Sequence, residues 1–186
     1  MAGFGGDPTV QFLVITVGGN DQKAWGPQSG ESASRAMLVF FNSNGVQTGT
    51  FFFPNSPPQG GLSVLIASTN FANLPGAPVP DILIPPMINP GSGKVSFRGN
   101  PANPFRFDVT LSLSYGSFPA NLTDGAGPPA PALPISGDPV SLTRVQDFSF
   151  GNVSSQNADF ALRAAAPVNT RGQTFTFPVD GPEIEK

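Results

Sequence analysis

Alternation of apolar and polar positions runs through most of the chain in short bursts, and each burst ends at glycine, proline or asparagine. Thr9–Val17 (TVQFLVITV) places Val10, Phe12, Val14 and Thr16 on one face and Gln11, Leu13, Ile15 and Val17 on the other, which predicts a strand buried on both sides. Gly18-Gly19-Asn20-Asp21 ends it, and the polar stretch Asp21–Ser34, with Trp25 before Gly26-Pro27, reads as a loop. Arg35–Phe41 and Val46–Phe53 flank Asn42-Ser43-Asn44-Gly45, and Asn-Gly between two β-rich runs predicts a hairpin. Leu62–Ala67 is a further apolar run after the Pro54–Pro58 break. Thr69–Leu74 is the one candidate for a helical turn, with Thr69 as its cap and Pro75 as its stop.

Asp81–Pro85, Lys94–Arg98 and Arg106–Tyr115 read as strands, the last with Phe107, Val109, Leu111 and Leu113 inward. Gly116–Pro139 is too rich in proline for a central strand or helix, and a connection of that length either covers a sheet edge or serves function. Ser141–Val145, Phe148–Phe150 and Asp159–Arg163 follow. Gln173–Val179 is a terminal strand with Phe175, Phe177 and Val179 on one face. About eight to ten short strands and almost no 3.6-residue period point to an all-β fold, an antiparallel Ig-like β-sandwich with long Pro/Gly-rich loops and extended terminal arms. The expected organisation is a single sandwich domain over residues 1–172, with a Gly-rich N-terminal arm (Gly3, Gly5, Gly6), and a C-terminal strand or arm over 173–186.

Composition narrows the chemistry. Only 11% of the 186 residues are charged, against about 25% in ordinary soluble chains, so much of the surface falls to neutral polar residues, Gly and Pro. The 22 Gly and 22 Pro carry no collagen period, and 17 Phe against one Trp and one Tyr read as core filling. Net charge is −3 and the nine Lys and Arg are scattered singly, so no basic stripe is present to meet a phosphate backbone and no nucleic-acid partner is expected. No run approaches the ~20 apolar residues of a membrane-spanning helix, and Met1–Pro8 lacks the features of a secretory signal. Absent cysteine removes disulfides and thiolate chemistry, and absent histidine removes the commonest base and metal ligand.

Candidate sites are correspondingly few. None of the three lysines, Lys23, Lys94 and Lys186, stands in an S-x-x-K setting, and no G-x-S-x-G occurs, so a catalytic serine is not expected. Asp7-Pro8, Asp124-Gly125, Asp138-Pro139 and Asp180-Gly181 read as turn chemistry, with the Asp side chain bonding its own backbone. Neither Asn20-Asp21 nor the Asp180–Glu185 cluster has the spacing of a calcium loop. Arg106 and Asp108 read as a solvated pair. Asn121-Leu122-Thr123 and Asn152-Val153-Ser154 match the glycosylation sequon. Trp25 in its polar loop is either a platform for a sugar or partner, or a cap on the sandwich end.

Three stretches resemble the bacterial lamin-tail-like β-sandwich family. They are LVFFNSNGVQTGTFFFPNSPPQGGLSVLIAS (Leu38–Ser68); GKVSF (Gly93–Phe97) with SYGSF (Ser114–Phe118), PAPALP (Pro129–Pro134) and SLTRV (Ser141–Val145); and ADFALRAAAPVNTRGQ (Ala158–Gln173). The resemblance, over residues 35–173, implies an Ig-like sandwich used as a non-catalytic module. Members often carry cysteines near the positions held here by Ser96 and Ser112.

The expected function is that of a non-enzymatic structural subunit of a virion or an extracellular or cell surface (a decoration, cement or fibre protein, or a filament), whose partners are other protein subunits, of its own kind or a lattice protein. No catalytic residue, cofactor or metal is expected. Trp25, Tyr115, Phe175, Phe177 and Val179 are the candidate partner contacts. The alternative is an adhesion or carbohydrate-binding module, with a glycan held by Trp25, Tyr115 and the Gly116–Pro139 loop.

Overall fold

A computed structural model describes residues 4–27, 35–99, 110–124, 127–134, 139–145 and 157–177. In chain order the regular elements are β1 (Phe12–Thr16), β2 (Met37–Phe41), β3 (Gln47–Phe52), β4 (Ser63–Ser68), α1 (Thr69–Ala72), β5 (Ile82–Ile84), β6 (Gly93–Arg98), β7 (Thr110–Tyr115), β8 (Val140–Arg144) and β9 (Phe160–Ala164). They form an all-β architecture of three sheets, ordered β1-β4-β5, β3-β2-β6-β7 and β8-β9.

The β2–β3 hairpin forms as its turn residues dictate. Gly45 takes φ +76°, and the Asn42 side-chain oxygen accepts from the Asn44 and Val46 amides at 3.0 Å, so asparagine and glycine shape the turn by local chemistry. Register slips by one residue between Phe40 and Phe41, where Thr48 bulges out of β3. Pairing between the described strands is antiparallel, except that β5 runs parallel to β4, a departure from a purely antiparallel sheet. The connection that permits it contains α1, whose cap is Ser68 and not Thr69: the Ser68 hydroxyl accepts from the Phe71 amide at 3.2 Å.

One core lies between the two larger sheets. Leu38 and Phe40 of β2 meet Val64 and Ile66 of β4 and Ile84 of β5, with Phe53, Trp25 and Tyr115 among them. A second core covers the opposite face of β1 and β4: Phe12, Leu65 and Ala67 pack with Phe71 of α1 and with Phe177, while Phe4, Val14 and Phe175 lie against them. β4 therefore has apolar neighbours on both faces, which explains why Val64–Ala67 is an unbroken apolar run.

Phe4 near the start of the described chain and Phe175 and Phe177 at its end belong to this second core. Phe4, in the 3-10 turn Phe4–Gly6, packs tilted against Phe177 with ring centroids 4.6 Å apart, so the described part of the expected N-terminal arm lies on its own chain. Gln173–Phe177 is not a regular strand; it makes one isolated bridge, Thr174 to Val168. Its alternation nonetheless holds, because Phe175 and Phe177 share the face that meets Phe71. Val179, the Phe148–Phe150 strand, the Arg106–Asp108 pair, Phe107, Val109 and the second sequon lie outside the described residues.

Candidate functional site

The outer face of β6 and β7 carries Lys94, Ser96, Ser112 and Ser114, polar residues that a half-buried sheet would normally show to water. All four are buried. The chain after β7 folds over them: Lys94 Nζ donates to Leu122 O and to the Asp124 carboxylate, both at 2.9 Å, and lies 4.4 Å from the Phe41 ring centroid. Ser96 and Ser112 face each other across the β6–β7 ladder with their hydroxyls 2.7 Å apart, and Ser112 also donates to Asp124 at 3.1 Å. Asn157, fully buried, accepts from the Ser114 amide and donates to the Ser114 hydroxyl and Gly127 O. Asp124, at φ +56°, thus spends its carboxylate on Lys94 and Ser112, not on the turn expected for Asp124-Gly125. Asp7, by contrast, makes the expected turn, accepting from the Thr9 amide at 2.8 Å.

Burial works against the Asp124 carboxylate, but the Lys94 hydrogen bond and charge, the Ser112 hydroxyl and the charge of Arg98 outweigh it, and the group titrates below its ordinary range. A carboxyl with a depressed folded-state pKa contributes stability that is present above its unfolded pKa and lost as pH falls through about 4 and below. Since 52% of the Asp124 side chain is exposed, the contribution is at most about 1 kcal/mol. Asp124→Asn is therefore expected to lower the urea midpoint at neutral pH and to converge on the parent protein as the pH is taken below about 4. A gap that stays constant down to pH 3 would contradict this assignment.

Four of the five residues singled out as partner contacts, all but Val179, which lies outside the described residues, are engaged inside the chain. Trp25, 2% exposed, lies 4.9 Å and 5.0 Å from the Phe53 and Phe97 rings and donates its indole N–H to Gln22 O at 2.7 Å. Tyr115, equally buried, donates to Asn89 O at 2.7 Å, and burial raises the pKa of its hydroxyl. Phe177 is buried and Phe175 half-buried in the second core. Neither Trp25 nor Tyr115 can present a ring to a sugar, because the apolar faces beside them close over both rings.

Lys23 is a group that sequence reasoning passed over. It is fully buried, and its ammonium donates to Gly61 O at 2.6 Å and Pro58 O at 3.1 Å, pinning the β3–β4 connection. Its position between Gly19 and Trp25 in a polar stretch carried no sign of burial.

An open cleft of about 710 Å³ lies at one end of the four-stranded sheet, where Ser43, Asn89, Ser92, Ser117 and Pro131 converge from three connections, and no described lining residue is charged. Ser117 donates to Ser92, and Ser92 to Tyr115 O, both at 3.3 Å. Such a lining offers hydroxyls and carbonyls but no acid or base. Among the described residues no three of His, Cys, Asp and Glu converge, and no helix is long and apolar enough to cross a membrane. No family model, curated protein or solved structure matches the chain.

Proposed function

We propose that the chain is a non-catalytic module, a lamin-tail-like variant of the Ig-type sandwich, that serves as a structural subunit of a surface assembly and acts by packing against further copies of itself. The observation that carries this reading is the fate of its charged groups. Lys23 holds two backbone carbonyls, Lys94 and Asp124 hold each other, Arg144 and Asp159 pair at 3.0 Å, and Asp81 binds three donors of β4 and the Asn169–Gln173 turn. Each of these six is committed to holding the fold; among the described residues Asp7, Asp21, Arg98, Arg163 and Arg171 stay exposed, beside exposed apolar side chains such as Val46, Phe52 and Leu83.

The test is the concentration dependence of mass, by sedimentation of the purified chain. A mass that rises above the 19.2 kDa of one chain is the expected result. A single-chain mass at every concentration would overturn the reading. Saturable binding of an oligosaccharide would then favour the adhesion alternative, which has the neutral cleft at Ser43, Ser92 and Ser117 in its favour.

A further inference from the structure

Two of the sheet edges in this fold are closed. β5 is three residues long, with Pro80 before it and Pro85-Pro86 after it, so it offers little to a passing strand. Along β7 the Ser114 amide is taken by Asn157, and Ala130 bonds both Ser114 O and the Gly116 amide at 2.8–2.9 Å. Among the described residues β3 has no such cover. It is the outermost strand of the four-stranded sheet, paired on one side only, to β2. Gln47–Phe52 contains neither proline nor charge, and the bulge at Thr48 disturbs only its first end, leaving Gly49–Phe52 in regular register. Phe52 is 50% exposed there, and Val46 beside the strand 58%.

We propose that this edge is where two copies of the chain meet, β3 against β3 antiparallel about a two-fold axis, joining two four-stranded sheets into one of eight strands. The inference rests on the assembly reading and names its contact. A second copy is the occupant because of charge. From Ala36 to Pro80 the chain has no Asp, Glu, Lys or Arg, so the edge meets its own image without like-charge repulsion and without taking an unpaired charge out of water. The pleat restricts the register: only residues on the same face can sit opposite each other, so Thr50 of one copy faces either Thr50 or Phe52 of the other. Backbone pairing supplies the attraction, and Phe52 adds apolar burial beside it.

The experiment uses the full chain in three forms: parent, Thr50→Lys with Phe52→Lys, and Thr50→Cys. Light scattering is expected to give about twice the 19.2 kDa chain mass for the parent and a single-chain mass for the lysine variant, with equal far-UV circular dichroism and equal Trp25 emission. Because the chain has no cysteine, Thr50→Cys under mild oxidant should give a covalent dimer, whereas an Arg163→Cys control on exposed β9 should not. Assembly that survives both lysines, with no cross-link through residue 50, would overturn the edge assignment and leave the assembly reading standing. A single-chain mass for the parent at every concentration would overturn both.

Discussion

Phe177→Ala is expected to cost about 3–5 kcal/mol of unfolding free energy, the usual range for deleting a buried phenyl ring. The ring is 3% exposed and has Phe4, Phe12, Phe71 and Phe175 within 4.6–6.3 Å of it, so its removal would leave a cavity among packed aromatic rings. For a domain whose whole stability is of order 5–15 kcal/mol, this loss is a large fraction of the total. Urea denaturation followed through Trp25, the single tryptophan, is the measurement: the midpoint should fall with the slope unchanged. Ending the chain at Arg171 removes Phe175 as well and should cost more. A loss below about 1 kcal/mol for Phe177→Ala would mean that the segment does not seal the second core, contrary to the usual cost of such a deletion.

Asp81→Ala should be comparably damaging, by about 3 kcal/mol, through hydrogen bonding in place of packing. One carboxylate oxygen accepts from the Leu65 and Thr170 amides, each at 2.9 Å, and the other from the Thr170 hydroxyl at 2.5 Å. Alanine leaves two backbone donors without an acceptor, and each such orphan costs about 1–3 kcal/mol. Asp81→Asn keeps one acceptor oxygen and should fall between. Because Thr170 begins the turn that delivers Phe175 and Phe177 to the second core, Asp81→Ala and Phe177→Ala act on the same segment. Their combined cost should be less than the sum of the two, since a segment released once cannot be released again. Strict additivity in the double variant would show that the turn and the aromatic pair are held independently.

These two variants also bear on how the terminal segments are used. Phe175 and Phe177 looked available to a neighbour, but the chain seats them itself against Phe4 and Phe71, with Asn169 fixing the approach. Its side-chain oxygen accepts from the Arg171 and Gln173 amides at 3.0 Å, and its amide group donates to Val79 O at 2.9 Å. Contacts made through the described residues would therefore use surface that the folded subunit leaves open, such as the β3 edge.

The features legible in the sequence were those set by neighbours along the chain. Asn42 and Gly45 specify the β2–β3 turn whatever surrounds them; Pro75 stops α1; alternation in Gln173–Phe177 correctly put both phenylalanines on one side, and the Gly116–Pro139 connection does lie over an edge through Ala130. What alternation cannot say is what covers each face, because that depends on strands far away in sequence. Trp25 sat in a polar stretch and is in the main core; Tyr115 ended a strand and is sealed by Asn89; Lys94 and the serines of β6 and β7 fill positions that normally meet water and are roofed by the chain that follows. Even the parallel pairing of β5 on β4 depends on where the connection through α1 returns. Local residue chemistry thus determined most of the described strands, the β2–β3 turn and the scarcity of reactive groups. Which apolar face meets which, which polar groups are buried, and which sheet edge stays open were decided only by tertiary packing, since burial is a property of the partner surface as much as of the residue itself.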